Sequence, residues 1–141
     1  MLEGIEIRRL RPGDEGLLSR VDPEIFDHEI EPRYVAGYLA DPGHMMFIAL
    51  GAGLVIGQCS AIVHRHVDAP NELYVDNLGV AVEYRRRGIA RALLEAAYEL
   101  GRSMGCEETW VATEIDNEEA RALYASYGAE AETFVMFLRD L

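Results

Sequence analysis

The feature that most constrains how this chain can fold is a basic, glycine-bearing turn caught between an apolar run and a long helical period. Val75 to Met104 reads VDNLGVAVEYRRRGIARALLEAAYELGRSM. Its first part is β-branched and apolar. Its last part repeats Ile89, Leu93, Ala97, Leu100 and Met104 on one helical stripe. The stretch therefore predicts strand, turn, helix, with the helix running from about Arg87 to Met104 and Gly105 as its cap. Between strand and helix, Arg85, Arg86, Arg87, Gly88, Ile89 and Ala90 place three cations and a glycine at a helix start. A helix start exposes unpaired N–H groups and the positive end of the macrodipole, so cations there are unfavourable unless an anion joins them. The turn thus predicts a phosphate or pyrophosphate seat, with Gly88 allowing a ligand close to the backbone.

The rest of the chain falls into short alternating pieces. Ile5 and Ile7 predict a half-buried strand, and Pro12-Gly13-Asp14 opens a first helix carrying Leu17, Leu18 and Val21. Asp22 to Glu31 holds Asp22, Glu24, Asp27, Glu29 and Glu31 without a lysine or arginine, around Ile25 and Phe26. That is either a solvated loop with one apolar anchor or a lip for a cationic molecule. Pro32 starts a second helix that ends at Asp41-Pro42-Gly43. Met45 to Leu50 and Leu54 to Val67 predict a hairpin turned by Gly51-Ala52-Gly53. Strands are expected over Glu72 to Val82, Thr109 to Ile115 and Thr133 to Leu138, with a last helix from Asp116-Asn117 through Tyr127. Trp110 is expected in the core.

At 141 residues the chain is expected to form one domain, 1–141, with a self-sufficient core. A formal charge of -12 opposes nucleic-acid phosphates and favours cationic partners. The longest apolar run is too short and too broken by Gly51 and Gly53 for a membrane helix, and the N-terminus lacks a leader pattern. No nucleic-acid or membrane partner is therefore expected. Cys59 and Cys106 lack any metal or redox spacing, which suits reduced thiols in a cytoplasmic protein. His64 and His66 alternate onto one face with Asp68 nearby, but two ligands are too few, so no metal is expected.

Two motifs together resemble a known family. Leu78-Gly79-Val80 followed by Arg85 to Ala90 is similar to the acetyl-CoA turn of the GCN5-related N-acetyltransferases. Asn117-x-x-Ala120-x-x-Leu123-Tyr124-x-x-x-Gly128 resembles their second signature. The resemblance covers the C-terminal half and implies an α/β (α+β) fold: a mixed, mostly antiparallel sheet with helices on both faces, whose parallel fourth and fifth strands splay around the pantetheine arm. It further implies an acyltransferase that takes acetyl-CoA as donor. The backbone of Arg86 to Ala90 and the charges of Arg85, Arg86 and Arg87 would hold the pyrophosphate, Leu78, Gly79 and Val80 would pair with the pantetheine amides, and Asn117 would contact the coenzyme. Gly79, a glycine inside a strand, marks a bulge or a close approach.

Acetyl transfer to an amine needs the neutral amine. An alkylamine with pKa ~10.4 is mostly protonated at pH 7, a penalty of roughly 4.6 kcal/mol, so a base must help. Asp76 is the first choice, with Glu72 and Glu114 as further carboxylates and a water relay also open. Tyr124 matches the family's proton donor to the leaving thiolate, although a tyrosine on the apolar face of the last helix is also explained by packing. Asp27, Glu29, Asn77 and Glu114 are the candidate acceptor-binding residues. Within the family the likeness is to aminoglycoside 3-N-acetyltransferases, through Phe26-Asp27-His28-Glu29, Met46 to Leu50 and Glu72 to Val75. Where those enzymes carry an aromatic-Asp pair, this chain has Asp76-Asn77. The acceptor implied is a small cationic amine, aminoglycoside-like or polyamine-like, attacked directly in a ternary complex. A protein amine and a non-catalytic acetyl-CoA-sensing module are the alternatives. Pairing through the final strand would make a homodimer.

Overall fold

The computed structural model describes residues 2–141. The chain divides into two compact units, one ending at Val111 and the other spanning Ala112–Leu141. The larger unit is built on a five-stranded sheet in the order β1 (Ile5–Arg9), β2 (His44–Gly51), β3 (Leu54–His64), β4 (Asn71–Val80) and β5 (Cys106–Val111). The first three pairings are antiparallel and β4 with β5 is parallel. Helix α1 is Pro32–Ala40 and α2 is Ile89–Ser103. This is the mixed, mostly antiparallel sheet expected from the resemblance.

The two helices lie on opposite faces of the sheet. Ile89, Leu93, Leu94, Ala97 and Gly101 are the buried stripe of α2. A Cβ on Gly57 would stand 3.2 Å from Leu93, and one on Gly101 would stand 3.0 Å from Leu73, so α2 sits on the face that carries Gly57, Cys59, Ala61, Leu73 and Val75. Each of its leucines stabilises the fold by roughly 1.5–3 kcal/mol through burial. The other face of β3 carries Gln58, Ser60, Ile62 and His64 and receives α1, whose Tyr38 hydroxyl donates to Met45 O at 2.9 Å. Pro at the start of α1 and the Asp41-Pro42-Gly43 stop explain its limits.

Several expectations change. The first helix is only a 3-10 turn, Glu15–Ser19, because Gly16 and the short apolar pair Leu17 and Leu18 cannot sustain a longer ladder. Strand β3 ends at His64 rather than Val67. Strand β5 starts three residues earlier than predicted and stops at Val111, opposite Val75. Trp110 is 44% exposed and stacks on Tyr74 at 4.2 Å rather than lying in the core.

The smaller unit holds α3 (Glu118–Ser126), whose N-cap Asn117 accepts from Ala120 N at 3.0 Å. Gly128, at φ 83, closes it. Residues 129–141 carry no regular secondary structure, so the predicted strand over Thr133 to Leu138 does not form there. Apolar alternation alone does not make a strand without a neighbour to complete its ladder. Among the described residues no helix is long and apolar enough to cross a membrane.

Candidate active site

The basic turn stands open. Arg85, Arg86, Arg87 and Gly88 are all exposed, and a Cβ on Gly88 would meet nothing within 4 Å. Gly88 has φ 81 and Arg86 has φ 63, so two of these residues adopt the left-handed conformation, unusual for arginine. Backbone in that region turns successive N–H groups toward a common concavity. The first ladder bond of α2 runs from Ala92 N to Gly88 O at 3.0 Å, which leaves Ile89 and Ala90 N–H without an intrahelical acceptor. Open space, paired left-handed residues and free first-turn donors fit a diphosphate. Two of the cations have contacts within the turn: Arg85 Nε donates to Val80 O at 3.2 Å, and Arg87 lies over the Tyr84 ring at 5.2 Å.

The strand leading into that turn loses its parallel partner on one side. Beyond the Val75 and Val111 pair, residues Asp76 to Val80 of β4 have β3 as their strand neighbour while β5 has ended. Leu78, Gly79 and Val80 therefore lie on a half-paired edge. The bulge falls at Asp76: Val75 pairs with Ala61 and Asn77 with Ser60, which leaves Asp76 as the extra residue. A bulge re-aims its side chain. The Asp76 carboxylate interacts with Tyr74 and Tyr38 on the α1 face. Burial raises the Tyr74 phenol, and Asp76 adds to the rise. Burial pushes Tyr38 up to about 12, with a Ser60 hydrogen bond drawing it back and Asp76 adding to the rise.

Of the two readings of Gly79, the structure bears out the close approach and not the bulge. Gly79 pairs regularly with Gln58, and a Cβ there would fall 2.6 Å from the carbonyl oxygen of Ile25. The close approach is made by the chain's own acidic segment. Ile25 is buried, and its carbonyl also accepts from Gln58 Nε2 at 2.9 Å, while Ser60 Oγ donates to Gln58 Oε1 at 3.0 Å. Glu24 accepts from Val82 N at 3.4 Å, Asp22 accepts from Glu24 N at 2.8 Å and Glu31 pairs with Arg33 at 2.7 Å. Three acids of the segment thus serve local structure, and Asp27 and Glu29 are exposed. Sequence reading missed the polar chain that links half-buried Tyr38 to the buried Ser60 and Gln58. Its signal was present, since Gln58 and Ser60 interrupt an otherwise apolar strand on one face.

Glu72 sits at the far end of β4, opposite His64, and its Oε1 lies 2.7 Å from His66 Nε2. Asn77 is half-buried and pairs with Ser60. Asn117, Tyr124 and Glu114 belong to the smaller unit. There Tyr124 is half-buried on α3, and Glu114 O accepts from Asn117 N at 3.0 Å. Of the two thiols, Cys59 is pushed up to about 12 by burial, and burial also raises Cys106.

Residues 15–129 match the model of the Acetyltransferase (GNAT) family, and the chain belongs to that family. It is 34% identical over 84 residues to N-alpha-acetyltransferase 30 of Schizosaccharomyces pombe, an alignment covering 58% of this chain and 55% of that protein. The chain thus spans little more than half of that relative. It is 29% identical over 97 residues to aminoglycoside N(6′)-acetyltransferase type 1 of Salmonella typhimurium, covering 66% of this chain and 67% of the relative. Among solved structures, an aminoglycoside acetyltransferase from an uncultured soil metagenomic sample superposes with a TM-score of 0.82 at 27% identity, covering 97% of this chain and 99% of that one. The aminoglycoside likeness holds, with a curated relative named for the 6′ position where the sequence suggested 3-N.

Proposed function

We propose that this protein is an acetyl-CoA-dependent N-acetyltransferase, a single catalytic domain that acetylates a primary amine of a small cationic molecule within a ternary complex. The observation that carries the reading is the open turn at Gly88 beside the half-paired edge of β4. First-turn donors at Ile89 and Ala90, with the arginines around them, suit a diphosphate, and the amides of Leu78 to Val80 suit a peptide-like arm. Bound there, acetyl-CoA supplies an activated acetyl thioester.

The chain's own residues do the proton work. Asp76, turned out by its bulge, accepts the proton that the acceptor's ammonium must lose. Glu72 is held by the two histidines and is the lesser candidate. Tyr124, by the motif it matches, supplies a proton to the leaving sulfur. A phenol near pKa 10 and a thiol near 8.5 differ by about 1.5 units, so the transfer costs roughly 2 kcal/mol and a hydrogen bond suffices. The raised Cys59 thiol is a poor nucleophile at neutral pH, which supports direct attack over an acyl-cysteine route.

Exposed Asp27 and Glu29, with the net charge of -12, favour a cationic acceptor such as an aminoglycoside or polyamine. The likeness to the yeast N-alpha-acetyltransferase supports a protein α-amine as the second reading. The test is thiol release from acetyl-CoA over aminoglycosides, polyamines and peptides. Turnover on one class selects the acceptor. Tight acetyl-CoA binding without turnover on any of them, and without an effect of Tyr124→Phe, would replace the enzyme with a sensing module.

A further inference from the structure

We propose that His64, His66 and Glu72 form a binding site for a divalent transition cation of the zinc, nickel or copper kind. The expectation of no metal rested on counting two histidines. The register of the hairpin adds a third ligand, because His64 pairs directly with Glu72 across the end of β3 and β4. His66, two residues beyond His64, brings its ring to 4.3 Å from the His64 ring. His64 Nδ1 lies 3.8 Å and His66 Nε2 lies 2.7 Å from Glu72 Oε1. All three donor atoms lie within 4.8 Å of one another, and they are the one such group among the described residues.

The chemistry of the set is selective. Two imidazoles and one carboxylate suit zinc, copper or nickel rather than the all-oxygen shells of calcium or magnesium. Donor atoms around a zinc ion at ~2.0–2.1 Å stand about 3.4 Å apart, so small side-chain rotations bring this trio from its present spacing into a first shell. Three protein ligands leave a further coordination position to solvent. His64 is half-exposed, and His66 and Glu72 are partly covered, which gives a metal a way in. Arg65 lies between the histidines in sequence, with its charge near Cys106. The net charge of -12 draws cations to the molecule as a whole.

Trp110, the single tryptophan, lines the same open cleft of about 490 Å³ as His64, Arg65 and Tyr74 and so reports on the site. Titration of tag-free protein with Cu²⁺ is expected to quench its fluorescence saturably with one equivalent, and Zn²⁺ calorimetry is expected to give the same stoichiometry. The His64→Ala/His66→Ala double variant, and separately Glu72→Gln, are expected to weaken both at least tenfold. His64→Ala alone changes a half-exposed side chain and serves if the double variant misfolds. Wild-type and variant curves that coincide, or no saturable response up to millimolar metal, would reduce the trio to a hydrogen-bonded clasp of the hairpin. The readout is binding, so it is independent of any acetyl transfer.

Discussion

Gln58 Nε2 donates to the Ile25 carbonyl at 2.9 Å, across 33 residues of sequence, and that same carbonyl occupies the space that a side chain at position 79 would need. One buried amide and one missing Cβ together dock the acidic segment on the sheet. Gln58→Leu would leave the Ile25 carbonyl buried without this donor, which costs about 1–3 kcal/mol. Gly79→Ala would force the segment outward, because its Cβ would meet backbone that cannot rotate away. Urea midpoints are expected to fall in both variants. The KM for the amine is expected to rise more than the KM for acetyl-CoA.

At the basic turn, Gly88 holds φ 81 with open space around it. Gly88→Val would strain that conformation by about 1 kcal/mol or more and crowd the donors of Ile89 and Ala90. The expected result is a KM for acetyl-CoA raised at least tenfold, with a calorimetric binding curve shifted to correspondingly higher acetyl-CoA concentrations. Unchanged coenzyme affinity would remove the turn from the site.

Asp76→Asn keeps the bulge and removes the base. General-base catalysis is worth about 10²–10⁴-fold, so kcat/KM at pH 7 is expected to fall by roughly a hundredfold. The deficit should narrow as pH approaches the amine's own pKa, because free amine then needs no help. A deficit independent of pH would make Asp76 a positioning residue.

Tyr124→Phe deletes the proposed proton donor while keeping the ring. A loss of about 2 kcal/mol in the transition state corresponds to a kcat lowered roughly thirtyfold. The KM for acetyl-CoA should hold. An acyl donor with a leaving thiol of low pKa is expected to recover most of the rate, which a packing defect would not allow.

Stability should decline at high pH. Tyr38 and Cys59 are both pushed up to about 12, so each keeps its proton in the folded state over a range where the unfolded chain has lost it. Their contribution is whole below the unfolded values and disappears as pH climbs toward 12. Within that window each group lowers stability by about 1.4 kcal/mol per pH unit. Denaturant midpoints between pH 8 and 11 are expected to drop, and Cys59→Ala and Tyr38→Phe should each flatten the decline.

Local spacing determined the parts of this protein that repeat or turn within a few residues. The stripe of α2, the stop after α1, the Gly51-Ala52-Gly53 hairpin, the Asn117 cap and the basic turn all follow from residues close in sequence, since helical period, capping and left-handed glycines are short-range effects. Tertiary structure decided the rest. The bulge landed at Asp76 rather than Gly79, Glu72 joined His64 and His66, Trp110 stacked on Tyr74 at the surface, and Ile25 took the space at Gly79. Each depends on which residue faces which across strands or between segments far apart in the chain, and a shift of one residue in pairing sends every side chain to the other face.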